Sequence, residues 1–287
     1  MEIKIVDIKR VVCRKRGGSQ SHLVESTEGS FYVAKFRDNP QGNRTLINEW
    51  IAYGLLQRLG VPVPSAHVLR LSESVAIDDG PPWFARGDKL VPVQSGLHLG
   101  SKCPVDPLKN AIYDFLPRKL FPSVCNLDDF AKVFVVDILC GQLDTRQAIF
   151  VRGRGAKARF QAYFIDHGLA FGGSEWKFKD ALFRGMYWDR AIYSIIDMYA
   201  ICEQALHMLQ TIPDADILSL ASGAPASWFG KGDEAPLRNL LLELNERRFR
   251  LRSLIADQIS SLNLDRARLA SSGISTAAAK SPIAEGP

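Results

Sequence analysis

Lys35, Glu49, Asp144 and Asp166 are residue types that could together handle a phosphoryl group, and their order along the chain says more than any one of them. A Gly17-Gly18 pair precedes Lys35, and Gly168 follows Asp166. Phosphoryl transfer needs a cation against the phosphate charge and a carboxylate that orients a hydroxyl and receives its proton. It also needs a second carboxylate for a hard, oxygen-seeking ion such as magnesium. A glycine-containing turn lets backbone N–H groups approach phosphate closely. The chain has candidates for every part.

The elements that must carry these side chains can be read from periodicity. Ile5–Cys13 reads as a strand, the segment Arg16 to Ser21 as a turn, and His22–Glu25 and Ser30–Phe36 as paired strands about Ser26–Gly29. Alternation puts Phe31, Val33 and Lys35 on one face and Tyr32, Ala34 and Phe36 on the other. A helix follows over Arg44–Leu59, with Leu46, Trp50, Tyr53, Leu56 and Leu59 at helical spacing; Gly60, Pro62 and Pro64 end it. Ala66–Leu71 reads as a strand. Residues 76–96, rich in Pro and Gly, show no clear period and leave room for a crossing between two lobes. Asp128–Gly141 is a strongly apolar helix with Phe130, Val133, Phe134, Asp137 and Ile138 in helical order. It leads to Asp144. Ala148–Arg152 and Arg159–Ile165 form a hairpin about the basic loop Gly153–Lys157 and deliver Asp166. Helices return over Arg190–Gln210 and Pro236–Leu262.

The stretch GGSQSHLVESTEGSFYVAKFRDNPQGNRTLINEWIAYGLLQRLGVPVP resembles the N-terminal lobe of small HipA-like kinases. GQLDTRQAIF and FIDHGLAF are similar to that family's catalytic loop and metal-binding segment, so the resemblance covers about residues 10–172. It implies an α+β, two-lobed, protein-kinase-like fold with a small β-rich N-lobe and a larger, mostly helical C-lobe. It further implies ATP and Mg2+ as cofactors and transfer of the γ-phosphate to a protein Ser or Thr. On this resemblance Lys35 holds the α/β-phosphates, Glu49 pairs with Lys35, and Gly17, Gly18, Ser19 and Gln20 lie over the phosphates. Asp144 is the catalytic base and Asp166 binds magnesium. The expected division is an N-lobe over 1–92, a C-lobe over 93–268 and a disordered tail over 269–287.

The sequence also departs from the family. Larger HipA proteins carry Asn five residues after the catalytic Asp, where this chain has Ile149; Gln147, whose amide oxygen can ligate a hard cation, is the candidate substitute. The glycine turn is not G-x-G-x-x-G. A regulatory pseudokinase that holds nucleotide is therefore a second reading, and a small-molecule kinase a third. Structural readings of the same residues stand beside these. Lys35 could be a solvated strand lysine, Asp144 and Asp166 turn formers, Glu49 a surface carboxylate, and Gly17-Gly18 a hairpin turn. His22 and His98 receive no role, His167 reads as structural, and Trp50, Trp83, Trp176 and Trp188 read as core.

The bulk numbers fit this picture. The 287 residues suffice for two ordinary lobes, and 46% hydrophobic and 23% charged residues are those of a folded globular chain. The net charge of +5 suits an anionic ligand such as a nucleotide, while the clusters Lys9–Arg16 and Arg152–Arg159 lack the aromatic interleaving of a nucleic-acid binder. Five cysteines without C-x-x-C argue for reduced thiols rather than zinc or disulfides. No signal peptide or membrane-length apolar run is legible, so the expected location is cytoplasmic. Neither a G-x-S-x-G elbow nor H-E-x-x-H is present, which removes the common hydrolase readings.

Overall fold

A computed structural model describes residues 4–78, 82–155, 158–180 and 184–271. The N-terminal unit starts with β1 (Ile5–Arg14), β2 (His22–Ser26) and β3 (Phe31–Lys35), then helix α1 (Arg44–Arg58) and β4 (Ala66–Leu71). The short helix α2 (Glu73–Asp78) and the hairpin β5 (Trp83–Arg86) and β6 (Lys89–Pro92) precede β7 (Gly96–Lys102). Five strands close into a barrel in the order β1-β2-β3-β7-β4. Period-two alternation sends Val6, Ile8, Val24, Tyr32, Ala34, Phe36, Leu69 and Leu71 into one buried cluster with Phe84 and Val93.

Strand β7 lies beyond the expected boundary at 92, and its antiparallel pairing with both β3 and β4 completes the barrel at Lys102, after the hairpin β5–β6. Gly100 in β7 is required by packing, because a Cβ there would lie 2.5 Å from the Leu69 side chain of β4.

The C-terminal unit is mostly helical. Strand β8 (Ile112–Tyr113) joins β9 (Gln147–Arg152) and β10 (Phe160–Ile165) in a small antiparallel sheet, order β10-β9-β8. Helix α3 (Asp129–Cys140) is buried on nearly every side and stops at Gly141, whose φ of 57° is left-handed. Helices α4 (Met198–Thr211) and α6 (Glu234–Ser271) pack against it, and α5 (Asp214–Leu218) packs on α6. The expected helix over 190–210 is divided into a 3-10 turn at Arg190–Ser194 and α4, with Asp197 accepting from the Ala200 N–H to start the second piece. Helix α6 carries the chain past 268, so 269–271 continue a helix; the rest of the expected tail, 272–287, lies outside the described residues, as do 156–157 of the basic hairpin loop.

Helix α1 sits between the two units. Leu46, Ile47, Trp50, Ile51, Leu55 and Leu56 join the large core built on α3, β9, β10, α4 and α6. Trp50 and Trp176 are buried, but Trp83 is only half-buried under the Arg14 guanidinium, and Trp188 is 57% exposed, against the expectation of core. All five cysteines are free thiols, and no helix among the described residues is long and apolar enough to cross a membrane.

Two imidazoles are enclosed in the barrel. His22 and His98 flank the Phe36 ring at 5.2 and 4.9 Å between centroids, and both are buried. Burial, then the Arg14 charge, lowers His22 to a pKa of about 4; burial, then Arg37, lowers His98 to about 3. His98 Nδ1 accepts the Arg37 N–H at 3.0 Å, a bond its protonated form cannot make. Below pH 6.5 the unfolded chain therefore binds more protons than the folded one, and stability falls with pH until the folded pKa values are reached. Each imidazole is expected to remove about 1.4 kcal/mol per pH unit between about 6.5 and 4. Urea midpoints measured at pH 7, 6 and 5 check this; a flat profile would contradict it.

Candidate functional site

Lys35 is the last residue of β3 and faces α1 rather than the barrel interior. Its Nζ forms an ion pair with Glu49 Oε1 and donates to Asp166 Oδ1 at 2.8 Å. A strand end, a helix and the end of a hairpin thus meet on one ammonium. Burial alone lowers the Lys35 pKa, but the Glu49 and Asp166 carboxylates outweigh it and the net shift is upward, so the amine stays charged. Burial pushes the other way at Asp166, where Lys35, then Arg146 and Gln147, hold the carboxyl below its ordinary range. Gly168 lies directly against Glu49 and Thr45, which explains a small residue just after Asp166.

Asp166 has a left-handed φ of 63°, costly for a residue with a Cβ, and the backbone there is held from several sides. Gln142 Nε2 donates to the Asp166 carbonyl at 3.1 Å, Arg146 Nη1 donates to the same oxygen at 3.2 Å, and the Leu143 N–H donates to Leu169 O at 3.2 Å. Loop 142–146 is thereby laced to segment 165–169. Asp144 stands in the middle of that loop, half-buried. Its Oδ1 accepts the Thr145 N–H at 2.8 Å, and its carbonyl accepts the Gly185 N–H at 3.0 Å.

Arg146 and Asp137 form the buried foundation of this lacing. Arg146 donates to Asp137 through Nε at 2.7 Å and Nη2 at 2.5 Å, and through Nη1 to Ile165 O at 2.5 Å. Side-chain exposures of 1% and 3% take both charges out of water. Burial lifts the Asp137 carboxyl above its ordinary range, yet the bidentate geometry and the upward shift of Arg146 caused by Asp137 mark an ionised pair. Gly185, at φ 72°, packs against the Asp137 side chain where a Cβ has no room.

Asn48, one residue before Glu49, is also fully buried. Its Nδ2 donates to Gly168 O, Ala170 O and Gly173 O at 2.8–2.9 Å, and its Oδ1 accepts from Trp176 Nε1 at 2.8 Å. Phe171, Gly172 and Gly173 are all left-handed, which turns the chain tightly enough to converge those carbonyls. From α6, Arg247 donates to the Ile138 and Leu139 carbonyls at the end of α3 and pairs with Asp180.

Of the residues singled out from sequence, Lys35, Glu49, Asp166 and Gln147 come together, while Asp144 lies in the loop whose Gln142 and Arg146 bond the Asp166 carbonyl. Gln147 Nε2 donates to Asp166 Oδ2 at 3.1 Å, so it is the amide nitrogen that faces the carboxylate. The register His22↔Ala34 puts the 15–21 loop at the Lys35 end of the sheet. Gly17 is at φ 126°, and Gly18 lies so near Gln41 that a Cβ would come 2.8 Å from its Nε2. The Gln20 side chain is not left for phosphates: it bonds both backbone groups of Ala85. Sequence reasoning does not single out Asn48, Asp137, Gln142 or Arg146 as site residues. Asp137 carried a signal, since a carboxylate in the apolar row of a buried helix demands a partner.

Magnesium takes one or two carboxylates, with phosphate and water completing its shell. Asp166, 36% exposed at its side chain, fits that description, with Gln147 adjacent. No group of three or more His, Cys, Asp or Glu among the described residues could hold a metal ion without such outside ligands.

No model of a known protein family matches the sequence, and no curated protein matches it. Solved structures do. A structure of the Golgi casein kinase superposes with a TM-score of 0.51 at 14% identity, over 89% of this chain and 73% of that one. A second, described as the same kinase with Mn/ADP bound, gives 0.52 at 14% identity, over 89% and 74%. The Helicobacter pylori proinflammatory kinase CtkA gives 0.48 at 14% identity, over 85% and 96%. The fold is kinase-like: a five-stranded N-terminal unit on a mostly helical C-terminal one.

Proposed function

We propose that this chain is a HipA-like, ATP-dependent kinase that transfers the γ-phosphate to a hydroxyl acceptor, a protein Ser or Thr. The observation that carries the reading is the meeting of Lys35 with both Glu49 and Asp166 at the junction of the two units. The Mn/ADP described for the Golgi casein kinase supports a nucleotide and a divalent ion on this fold. Lys35, oriented by Glu49, neutralises α/β-phosphate oxygens. Asp144 accepts the acceptor's proton as its oxygen bonds to the γ-phosphorus and the bond to the β–γ bridging oxygen breaks, leaving ADP. Asp166 would hold Mg2+, which would supply charge neutralisation on the phosphates, and Gln147 would join it only with its amide turned so that the oxygen, not the Nε2 that now donates to Asp166, faces the ion. The protein's share is positioning and fixed charge.

One observation favours a nucleotide-binding pseudokinase instead. Ile149, at the family's Asn position, is built into β9 opposite Tyr163. Thermal-shift titration with ATP and Mg2+, run beside γ-phosphate transfer assays, separates the readings. The expected result is a rise of several degrees in Tm for the parent, lost in Asp166→Ala, and transfer lost in Asp144→Ala with the thermal shift kept. A parent that shifts but transfers no faster than Asp144→Ala is a binding module, and a parent that does not shift is neither.

A further inference from the structure

The β5–β6 hairpin plays no part in the kinase reading, yet it is tied to both loops that flank Lys35. On one side, the 15–21 loop joins β1 to β2 and carries Gly17 and Gly18. Gln20 in that loop is left-handed, with φ 49°. Its Nε2 donates to Ala85 O and its Oε1 accepts the Ala85 N–H, both at 2.8 Å. The side-chain amide thus occupies the exposed backbone edge of β5 as a strand neighbour would. Arg14 reinforces this contact: its Nη1 donates to the same Oε1 at 2.8 Å while its guanidinium stacks on Trp83, 4.2 Å from the ring centroid. On the other side, Arg86 at the end of β5 donates through Nη2 to Asp38 O at 2.5 Å. Asp38 lies in the loop after Lys35, and Gln41 of that loop packs on Gly18.

We propose that Gln20 is a positioning residue that fixes the 15–21 loop for nucleotide by strapping it to the hairpin. The inference rests on the kinase reading and refines it, because a glycine turn that must be ordered on binding spends affinity on that ordering. Here the turn is held before nucleotide arrives, and the glycine backbone rather than the Gln20 side chain meets the phosphates.

The test measures ATP affinity, steady-state kinetics and hydrogen exchange in the full chain. Gln20→Ala removes both amide bonds. Gln20→Gly removes them while relieving the left-handed backbone, so it separates the strap from local strain. Both variants are expected to speed amide exchange in residues 15–21 of the nucleotide-free protein. Both should also raise KM and Kd for ATP about tenfold with kcat within about twofold, the pattern of lost ground-state binding. Arg86→Ala should move the same quantities in the same direction, by less. A lowered Tm with unchanged KM and Kd in both Gln20 variants, beside a parent that binds ATP, overturns the strap alone. A parent that does not bind ATP overturns the kinase reading, and this role with it.

Discussion

Arg146→Ala is expected to lower stability by about 3–5 kcal/mol, the usual effect of stranding one member of a buried ion pair. The loss has two sources. Asp137, 3% exposed, keeps a carboxylate with no counter-charge, and the Ile165 and Asp166 carbonyls lose a charged donor. The urea midpoint should fall sharply with little change in slope. Replacing both partners, Asp137→Leu with Arg146→Met, should recover much of that stability, since an apolar pair of similar volume avoids the desolvation of two charges. Phosphate transfer should not recover with it, because the left-handed Asp166 backbone has lost the Arg146 donor at its carbonyl. If the double variant regains transfer along with stability, Arg146 serves only the fold.

Lys35→Met should have the largest effect on chemistry. It keeps the length of the side chain and removes the charge that both Glu49 and Asp166 contact. Loss of one preorganised charge at a reacting group typically costs about 10²–10³-fold in kcat, and that is the expected drop in the transfer assay. Lys35→Arg should recover little, because a planar fork cannot take the place of a compact ammonium between two carboxylates on different elements. Transfer within threefold of the parent in Lys35→Met would put the chemistry elsewhere in the molecule.

Much of the scaffold around Lys35 was legible because its periods are strong. The FYVAK alternation separates a barrel face from a face toward α1, and the helix ending at Gly60 is followed by β4 over Ala66–Leu71. The hairpin delivering Asp166 appears as β9 and β10 within a residue of the expected bounds. What stayed hidden depends on long-range closure. Strand β7, GLHLGSK, has two glycines and a central histidine and reads weakly as a strand; it is held by pairing with β3 and β4 on both edges. The hairpin β5–β6 is short, with no alternation long enough to register.

The site shows the same division. Lys35, Asp144 and Asp166 stand out as candidates because chemistry restricts their type and the family resemblance gives their order. The resemblance puts Gln20 over the phosphates with Gly17, Gly18 and Ser19, and only tertiary structure gives Ala85, 65 residues away, as the partner of its side chain. Asn48 looked like an ordinary polar residue on a helix, since nothing local announces that three carbonyls from beyond residue 167 will converge on it.

That convergence bears on how such a protein could be switched. Swinging α1 outward to separate Glu49 from Lys35 would strip Asn48 of its buried bonds: two amide hydrogens shared among three carbonyls and one accepted indole N–H, about three hydrogen bonds at about 1 kcal/mol each. The swung-out population would then stand at roughly one part in two hundred, and an effector would need a preference of about that factor merely to draw level. Control through helix displacement is therefore costly in this architecture.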